Sequence, residues 1–312
     1  MNCFEERRLT SSGLRSTVLG FGAMELRGAS HRVPRLLEDG VAKLLLNTVL
    51  DEGIRFIDTS IDYGESEELI GRHIGHRRSE YLLASKVGCP LDHQPGGPSN
   101  GPLVHNYSPA NIRAGIEQSL SRLRTDYLDL AQVHIGPSVA VLQRDDVLAT
   151  LERARDEGKV RAIGISSTLP ELLDHIDLGV FETFQIPYSA LDRSLENCLP
   201  HINTTGAGVI VRGGTARAAR ANRTADSRHA SSADLAVDDL LDGDNLQGFL
   251  LRFVMTRAEV STVIVGTASP EHVRENAKAA ARGGLSEDVY AEAQRRLDIA
   301  GFRTSDPRNK TF

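Results

Sequence analysis

The sequence lacks tryptophan, and its tyrosines and phenylalanines bring the aromatic fraction to only 5%. A platform of stacked aromatic side chains for single-stranded nucleic acid is therefore not expected. Basic charge is not in excess either, because 42 acidic residues outnumber 36 lysines and arginines and give a net charge of −6. This balance disfavours nucleic acid and anionic membrane surfaces as partners.

Cysteine is scarce, and Cys3, Cys89 and Cys198 form no C-x-x-C pair. Scattered thiols in odd number predict a reduced protein of the cytoplasm, without structural disulfides. The first residues, MNCFEERRLT, lack the apolar stretch of a signal peptide, so none is expected. No apolar run reaches the roughly 18 residues of a membrane-spanning helix, so no membrane span is predicted.

What the sequence does contain is a regular alternation of short apolar runs with amphipathic segments. The runs that predict strands are STVLGFGAM from Ser16, IRFIDTS from Ile54, YLLASKV from Tyr81, YLDLAQVH from Tyr127, VRAIGIS from Val160, TFQIP from Thr183, GVIVRG from Gly208 and STVIVG from Ser261. Several are apolar at consecutive positions, which is typical of parallel strands covered on both faces. Ser108-Pro109 and Ser269-Pro270 each pair a capping serine with a proline suited to the first helical position, so helices are predicted to begin there.

These repeats predict an α/β fold of one domain over residues 1–312, a (β/α)8 TIM barrel, with a doubly wound open sheet as the alternative. The segment 7–19 predicts an N-terminal β-hairpin that turns at Ser12-Gly13 and covers the bottom of the barrel, and C-terminal helices follow the last strand. Two long loops, Gly88–Tyr107 and Gly213–Asp244, follow the third and seventh strands. They are expected on the face where barrels place active sites.

Polar side chains stand at the ends of successive predicted strands. They are Asp58, Lys86, His134, the pair Ser166 and Ser167, and Gln185. The carboxyl ends of parallel barrel strands converge on one face, so these groups are expected to meet in one pocket.

Motifs of several other site classes are missing. No P-loop and no H-E-x-x-H occur, and no G-x-G-x-x-G follows the first strand. Any dinucleotide is therefore bound without a Rossmann crossover. His73 and His76 lack a third ligand in the pattern and are interpreted as part of a solvated helix face, so no metal site is predicted.

The segment from Gly53 to Glu67 reads GIRFIDTSIDYGESE. It resembles G-x-x-x-x-D-T-[AS]-x-x-Y-G-x-[SA]-E, the signature of the aldo-keto reductase superfamily. Other similar segments occur in the expected order: LGFGAM, SKVG, QVH, GISS, FQIPYS and IVGTASPEHVRENAKAA. The resemblance implies a (β/α)8 barrel that binds a nicotinamide cofactor, usually NADPH although NADH is an alternative, and reduces the carbonyl group of a small molecule.

The resemblance implies that Asp58, Tyr63, Lys86 and His134 are catalytic. Hydride transfer to a carbonyl carbon leaves an alkoxide, and Tyr63 would supply its proton. A free phenol has a pKa of about 10, and a cationic Lys86 is expected to lower it. Asp58 would keep Lys86 charged and oriented, while His134 would orient the carbonyl oxygen and assist proton transfer.

The cofactor residues that the resemblance implies are spread over the same face. They are Gly22, Ala23, Met24 and Asp58 at the first strands, Ser166, Ser167 and Gln185 at the carboxamide, Arg212, Gly213, Thr215 and Arg217 after the seventh strand, and Gly266, Thr267, His272, Glu275 and Asn276 around the adenosine. Three of them depart from the family. Ser167 stands where asparagine is common, Arg212 stands where many relatives have a stacking aromatic, and His272 lies among positions where many have arginine or lysine.

The loop Gly213–Asp244 carries Arg217, Arg220, Arg223 and Arg228. One hypothesis is a lid that folds over the cofactor, with arginines that reach its phosphates. The alternative is a solvated insertion without a cofactor role.

Two other functions are compatible with the sequence. One is a regulatory or partner-binding protein of the same fold that binds the cofactor with weak catalysis. The other is a lyase that uses Lys86 as a Schiff-base nucleophile. For a reductase, the substrate would be an aldehyde, a ketone or a ketosugar, and the sequence indicates no oligomeric state.

Overall fold

Eight parallel strands close into a barrel in this computed structural model, which describes residues 4–28, 35–91, 104–215, 231–233 and 235–305. Each barrel strand pairs with the next one along the chain, and the last pairs with the first. The strands are β1 Glu6–Arg8, β2 Arg15–Thr17, β3 Leu19–Gly22, β4 Phe56–Asp58, β5 Leu82–Val87, β6 Leu128–Val133, β7 Val160–Ser166, β8 Thr183–Pro187, β9 Gly208–Arg212 and β10 Val260–Val265. The closed barrel confirms the predicted architecture and rules out the open sheet.

Helices follow the barrel strands and cover them from outside. They are α1 Asp39–Asp51, α2 Ser66–Ile74, α3 Pro109–Leu123, α4 Val139–Arg144, α5 Val147–Asp156, α6 Glu171–Leu178, α7 Cys198–Thr204, α8 Leu246–Met255, α9 Pro270–Ala280 and α10 Glu287–Ile299. Both serine–proline starts are confirmed, because Ser108 Oγ accepts a hydrogen bond from Asn111 N and Ser269 Oγ accepts one from His272 N. Each cap satisfies an amide that the first helical turn leaves without a partner.

The interior of the barrel is closed at the bottom by the N-terminal hairpin. β1 and β2 pair antiparallel around a turn in which Gly13 has a φ of +105°, as predicted for Ser12-Gly13. Leu9 is fully buried and packs with the inward-facing barrel residues Phe56, Ala84, Leu130, Ala162, Ile210 and Ile264. A Cβ atom at Gly208 would lie 2.0 Å from the Leu9 carbonyl oxygen, so this glycine permits the close approach.

Asp129 on β6 anchors an ionic network at the same end of the barrel. Its carboxylate is buried and accepts hydrogen bonds from Arg78 Nη2 at 2.6 Å, Arg161 Nη1 at 2.7 Å and the Leu83 amide at 2.9 Å. The Arg78 guanidinium also lies 4.1 Å from the centroid of the Tyr127 ring. One carboxylate therefore links β5, β6 and β7 to the turn that follows α2.

The interpretation of His73 as a solvated residue is wrong. His73 is buried on α2, and its Nε2 lies 2.9 Å from Asp39 Oδ1 at the start of α1. The helix presents this face to its neighbour rather than to water, whereas His76 is exposed. The arginines of the hypothesised lid, from Arg217 to Arg228, lie outside the described residues. Within the described ranges, every helix is too short or too polar to span a membrane.

We expect Asp129→Ala to lower the free energy of unfolding by about 3–5 kcal/mol, because it leaves a largely buried Arg78 cation without its carboxylate. The matched control is Glu157→Ala, which removes an exposed carboxylate paired with Lys159 and should change the free energy of unfolding far less. Urea unfolding of both variants measures the difference. Equal losses would contradict the anchoring role of Asp129.

Candidate active site

Asp58 and Lys86 form a buried ion pair where β4 and β5 end. Lys86 Nζ donates to Asp58 Oδ2 at 2.7 Å and to the Thr59 carbonyl oxygen at 2.7 Å. Their side chains are 3% and 1% exposed, so the pair is shielded from water. Burial opposes the charge of Lys86, but Asp58, Tyr63 and Asp62 together outweigh it, and the pKa of Lys86 lies above its ordinary value. Lys86 is therefore a permanent cation at neutral pH.

The second oxygen of Asp58 is occupied by two glutamines. Gln132 Nε2 and Gln185 Nε2 each donate to Asp58 Oδ1 at 2.8 Å. Gln132 was not among the predicted site residues, although it lies on β6 within the QVH segment. Gln132 and His134 are two residues apart and therefore lie on the same face of the strand. This spacing could have placed Gln132 inside the barrel.

Tyr63 lies over this ion pair, in the loop between β4 and α2. Its ring centroid is 4.7 Å from Lys86 Nζ and 6.2 Å from the His134 ring. Burial raises the pKa of the Tyr63 phenol above its ordinary value, Lys86 acts against this shift, and Asp58 adds to it. Lys86 thus acts in the expected direction, but burial, together with Asp58, outweighs it and the net shift of the Tyr63 pKa is upward.

His134 follows β6 and belongs to the same cluster. Its Nδ1 lies 3.0 Å from Cys89 Sγ and 3.7 Å from Asp62 Oδ1. Burial lowers the pKa of His134 below its ordinary value, against the attraction of Asp62, so the ring is neutral at neutral pH. Burial also raises the pKa of the Cys89 thiol, which therefore keeps its proton and can donate it to Nδ1. In that arrangement the other ring nitrogen, Nε2, carries the hydrogen.

A cavity of about 360 Å³ opens above these residues. Of the predicted site residues it is lined by Gly22, Met24, Asp58, Tyr63, His134, Ser166, Gln185, Arg212, Gly213, Thr215 and Gly266. Glu25, Ile135 and Ile264 complete the lining and were not predicted. Ala23 lies beside it in a buried turn. The structure thus brings together the polar strand ends, as expected for the carboxyl face of a barrel.

Arg212 enters the cavity from the end of β9 without an ion pair among the described residues. Burial lowers the pKa of its guanidinium below the ordinary value, and Tyr63 and Asp58 oppose this shift. Gly213, the next residue, has a φ of +73°, a conformation that favours glycine.

The side chains of Ser166 and Ser167 have different surroundings. Ser166 lines the cavity, and its hydroxyl makes no hydrogen bond within the described part of the chain. Ser167 instead contacts His175, whose Nε2 lies 2.7 Å from the Pro137 carbonyl oxygen and whose Nδ1 lies 2.8 Å from Ser167 Oγ. A carbonyl can only accept, so His175 Nε2 carries the hydrogen and Ser167 donates to Nδ1. Its hydroxyl hydrogen is thus already used away from the cavity.

The remaining predicted residues lie at the end of β10 and on α9. Thr267 Oγ1 is 3.2 Å from His272 Nδ1 and accepts from the Ser269 amide. His272 and Glu275 are exposed and Asn276 is buried. Their adenosine role stays a prediction.

The cavity fits the carboxamide end of a nicotinamide cofactor. Its volume falls in the range of about 300–1,000 Å³ that is usual for ligand sites. The Ser166 hydroxyl can donate to an amide oxygen, and the Gln185 side-chain oxygen, which pairs with no described donor, can accept from an amide nitrogen. Gly22, Gly213 and Gly266 keep the wall free of side chains.

Comparison with known proteins gives a consistent result. The profile of the Aldo/keto reductase family matches residues 18–297. The L-galactose dehydrogenase of Arabidopsis thaliana is 27% identical over 96% of this chain and 96% of that protein. The NADH-specific methylglyoxal reductase of Escherichia coli is 27% identical over 76% of this chain and 82% of that protein. The holo structure of an aldo-keto reductase from Bacillus halodurans is 26% identical, covers 97% of this chain and 99% of its own, and superposes with a TM-score of 0.79.

A double-mutant cycle tests the Asp58–Lys86 pair. Asp58→Asn should destabilise the protein by about 3–5 kcal/mol because it leaves the buried Lys86 cation unpaired. Adding Lys86→Met removes that cation, so the double variant should be more stable than Asp58→Asn alone. Urea unfolding gives the coupling energy, and strictly additive losses would show that the two side chains do not stabilise each other.

Proposed function

The chain belongs to the aldo/keto reductase family, and from that premise we propose that it reduces the carbonyl group of an aldehyde, a ketone or a ketosugar with NADPH. One observation carries the proposal: a phenol, a neutral imidazole and a buried lysine–carboxylate pair converge at the floor of one cavity. Tyr63, His134, Lys86 and Asp58 are assigned the catalytic roles.

A bound nicotinamide cofactor supplies the hydride that the carbonyl carbon receives. The residues of the chain position the carbonyl oxygen and protonate it. Tyr63 holds its proton at neutral pH, because burial raises its pKa, and it donates that proton to an oxygen in the cavity. Lys86 stabilises the negative charge that then remains on the phenol oxygen. Asp58 keeps Lys86 in place, and the tyrosine recovers its proton from solvent.

His134 is assigned the second contact to the carbonyl oxygen. When Cys89 donates to Nδ1, the neutral ring presents Nε2–H as its donor. A neutral donor orients the carbonyl without adding a positive charge on the imidazole ring. Donors fixed before the reaction stabilise developing negative charge without a cost of reorganisation.

The lyase alternative fits the site poorly. A Schiff-base lysine must lose its proton to act as a nucleophile, which requires a lowered pKa. The pKa of Lys86 is raised, and its ammonium donates to both Asp58 and Thr59. The lone pair that would attack a carbonyl is therefore occupied by a proton.

The side chains at the rim of the cavity indicate a class of substrate. Met24 and Ile135 are exposed at the cavity and offer an apolar rim, while Arg212 offers a donor for hydroxyl or carbonyl oxygens. NADPH is proposed over NADH, although one relative is named as specific for NADH. The buried thiols Cys89 and Cys198 are unpaired, which supports a reducing, cytoplasmic setting.

The decisive assay follows oxidation of NADPH, and separately of NADH, with a panel of aldehydes, diketones and ketosugars. Turnover with any of them supports the reductase. Tight cofactor binding without turnover across the panel would favour the regulatory alternative. Substrate trapped on Lys86 by borohydride would favour the lyase.

Tyr63→Phe should lower kcat by about 10²–10⁴-fold, because it removes the proton donor while the ring remains. Binding of NADPH, measured by fluorescence titration, should change little. The matched control is Tyr127→Phe, which removes a phenol hydroxyl at the barrel bottom and should leave kcat unchanged. A Tyr63→Phe enzyme that kept most of its activity would overturn the assignment.

Combined replacement of Arg217, Arg220 and Arg223 by alanine tests the lid hypothesis. If these arginines meet the 2′-phosphate, NADPH binding should weaken more than NADH binding, mostly through a faster off-rate. Stopped-flow measurements with both cofactors separate the outcomes. Equal weakening would assign the arginines to the pyrophosphate, and no effect on either cofactor would refute the lid.

A further inference from the structure

A cluster of side chains beside the cavity consists of residue types that bind transition metals. The Sγ of Cys89 and one ring nitrogen from each of His105 and His134 all lie within 4.8 Å of one another. Cys89 follows β5, His134 follows β6, and His105 lies in the loop segment that leads into α3. Because three separate segments supply the residues, no spacing motif in the sequence indicates them, and no metal site was predicted.

The separations between the three ligand atoms can be compared with those of a tetrahedral site. Ligand atoms on one zinc ion are about 3.3–3.5 Å apart, given bonds of about 2.0 Å to nitrogen and about 2.3 Å to sulfur. Cys89 Sγ and His134 Nδ1 are hydrogen-bonded at 3.0 Å, so a shared ion would replace this hydrogen bond and move the two atoms apart by about 0.5 Å. The ring of His105 meets the ring of His134 edge to face, with centroids 5.2 Å apart. Binding of one ion by all three residues therefore requires the His105 ring to move towards His134 and Cys89.

Surrounding hydrogen bonds hold the ligands in place. Asn111 Nδ2 donates to the Cys89 carbonyl oxygen at 3.0 Å. The Tyr107 hydroxyl lies 2.9 Å from the His134 carbonyl oxygen, and the Tyr107 ring stacks on His105 with centroids 5.9 Å apart. Such outer contacts orient metal ligands and raise affinity.

A buried cation also needs negative charge. Asp62 Oδ1 lies 3.7 Å from His134 Nδ1, its side chain is only 7% exposed, and the Ser60 hydroxyl lies 2.5 Å from the same oxygen. A Cys89 thiolate together with the Asp62 carboxylate would balance a divalent ion. This combination of sulfur, imidazole and carboxylate suits zinc-class ions rather than magnesium or calcium.

We propose that Cys89, His105 and His134 form a binding site for a zinc-class divalent metal ion at the edge of the cavity. On binding, the S–H bond of Cys89 breaks, its proton passes to solvent and a sulfur–metal bond replaces it. The ion takes the Nδ1 lone pair of His134, so the hydrogen of this ring stays on Nε2. The site does not depend on the proposed reductase reaction, because binding is measured without substrate or cofactor.

The test is a titration of the chelator-treated full-length protein with Co²⁺, which reports its ligands in absorption spectra. One equivalent should bind, with a thiolate-to-cobalt charge-transfer band in the near ultraviolet, and Zn²⁺ should displace it. Absence of saturable binding would overturn the proposal.

Variants locate the ion. Cys89→Ser should abolish the charge-transfer band, while Cys3→Ser and Cys198→Ser should retain it. His105→Ala should weaken Co²⁺ binding by more than about 10-fold, and Asp62→Asn by about 10-fold. The control for His105 is His76→Ala, which removes an exposed imidazole and should have no effect.

Two results contradict the assignment. A band that persists in Cys89→Ser, or is lost in Cys3→Ser, would place the ion elsewhere. Affinity unchanged in His105→Ala would exclude the three-residue site. Since Cys89 is fully buried and its variant can misfold, circular dichroism is recorded for each protein. His105 is only half-buried, so its variant decides the matter where Cys89→Ser fails to fold.

Discussion

The mouth of the barrel is organised around one buried carboxylate, that of Asp58. A buried charge is costly unless partners use all of its hydrogen-bonding capacity. Here Lys86 occupies one oxygen, and Gln132 and Gln185 share the other. These partners lie on β5, β6 and β8, so a single group on β4 sets the relative positions of four strand ends. The cavity floor is therefore rigid before any ligand arrives, and rigid donors are what stabilisation of a transition state requires.

The two ends of the barrel have different roles, because one closes and stabilises the fold and the other forms the cavity. At the bottom, Leu9 fills the interior and Asp129 binds Arg78 and Arg161, and both features contribute to closure and stability. At the top, Tyr63, His134 and Arg212 surround a cavity, and the Ser166 hydroxyl has no hydrogen-bond partner among the described residues. Since closure is secured at one end, the loops at the other end can carry strained or unpaired groups at little risk to the fold.

Much of the fold followed from the sequence because it rests on local signals. The signals of apolar runs and serine–proline pairs depend only on residues that are close in the sequence. Every predicted barrel strand has its counterpart in the structure. The site was harder, because it depends on where distant segments meet. The direction of the Ser167 hydroxyl, the burial of His73 and the grouping of Cys89 with His105 are set by packing between elements. The signature at Gly53–Glu67 identifies Tyr63 as a candidate, but no motif indicates which side chains surround it.

The pKa of Tyr63 shows how such surroundings decide a chemical outcome. Considered alone, a neighbouring Lys86 favours the phenolate. In the structure Asp58 lies 2.7 Å from the lysine, so the tyrosine faces an ion pair whose net charge is close to zero. Burial then outweighs the remaining attraction and favours the neutral phenol. A phenol that keeps its proton is ready to protonate an alkoxide, whereas the reverse reaction needs a phenolate base that this environment disfavours. In the role we propose for Tyr63, this environment therefore keeps on the phenol the proton that carbonyl reduction consumes.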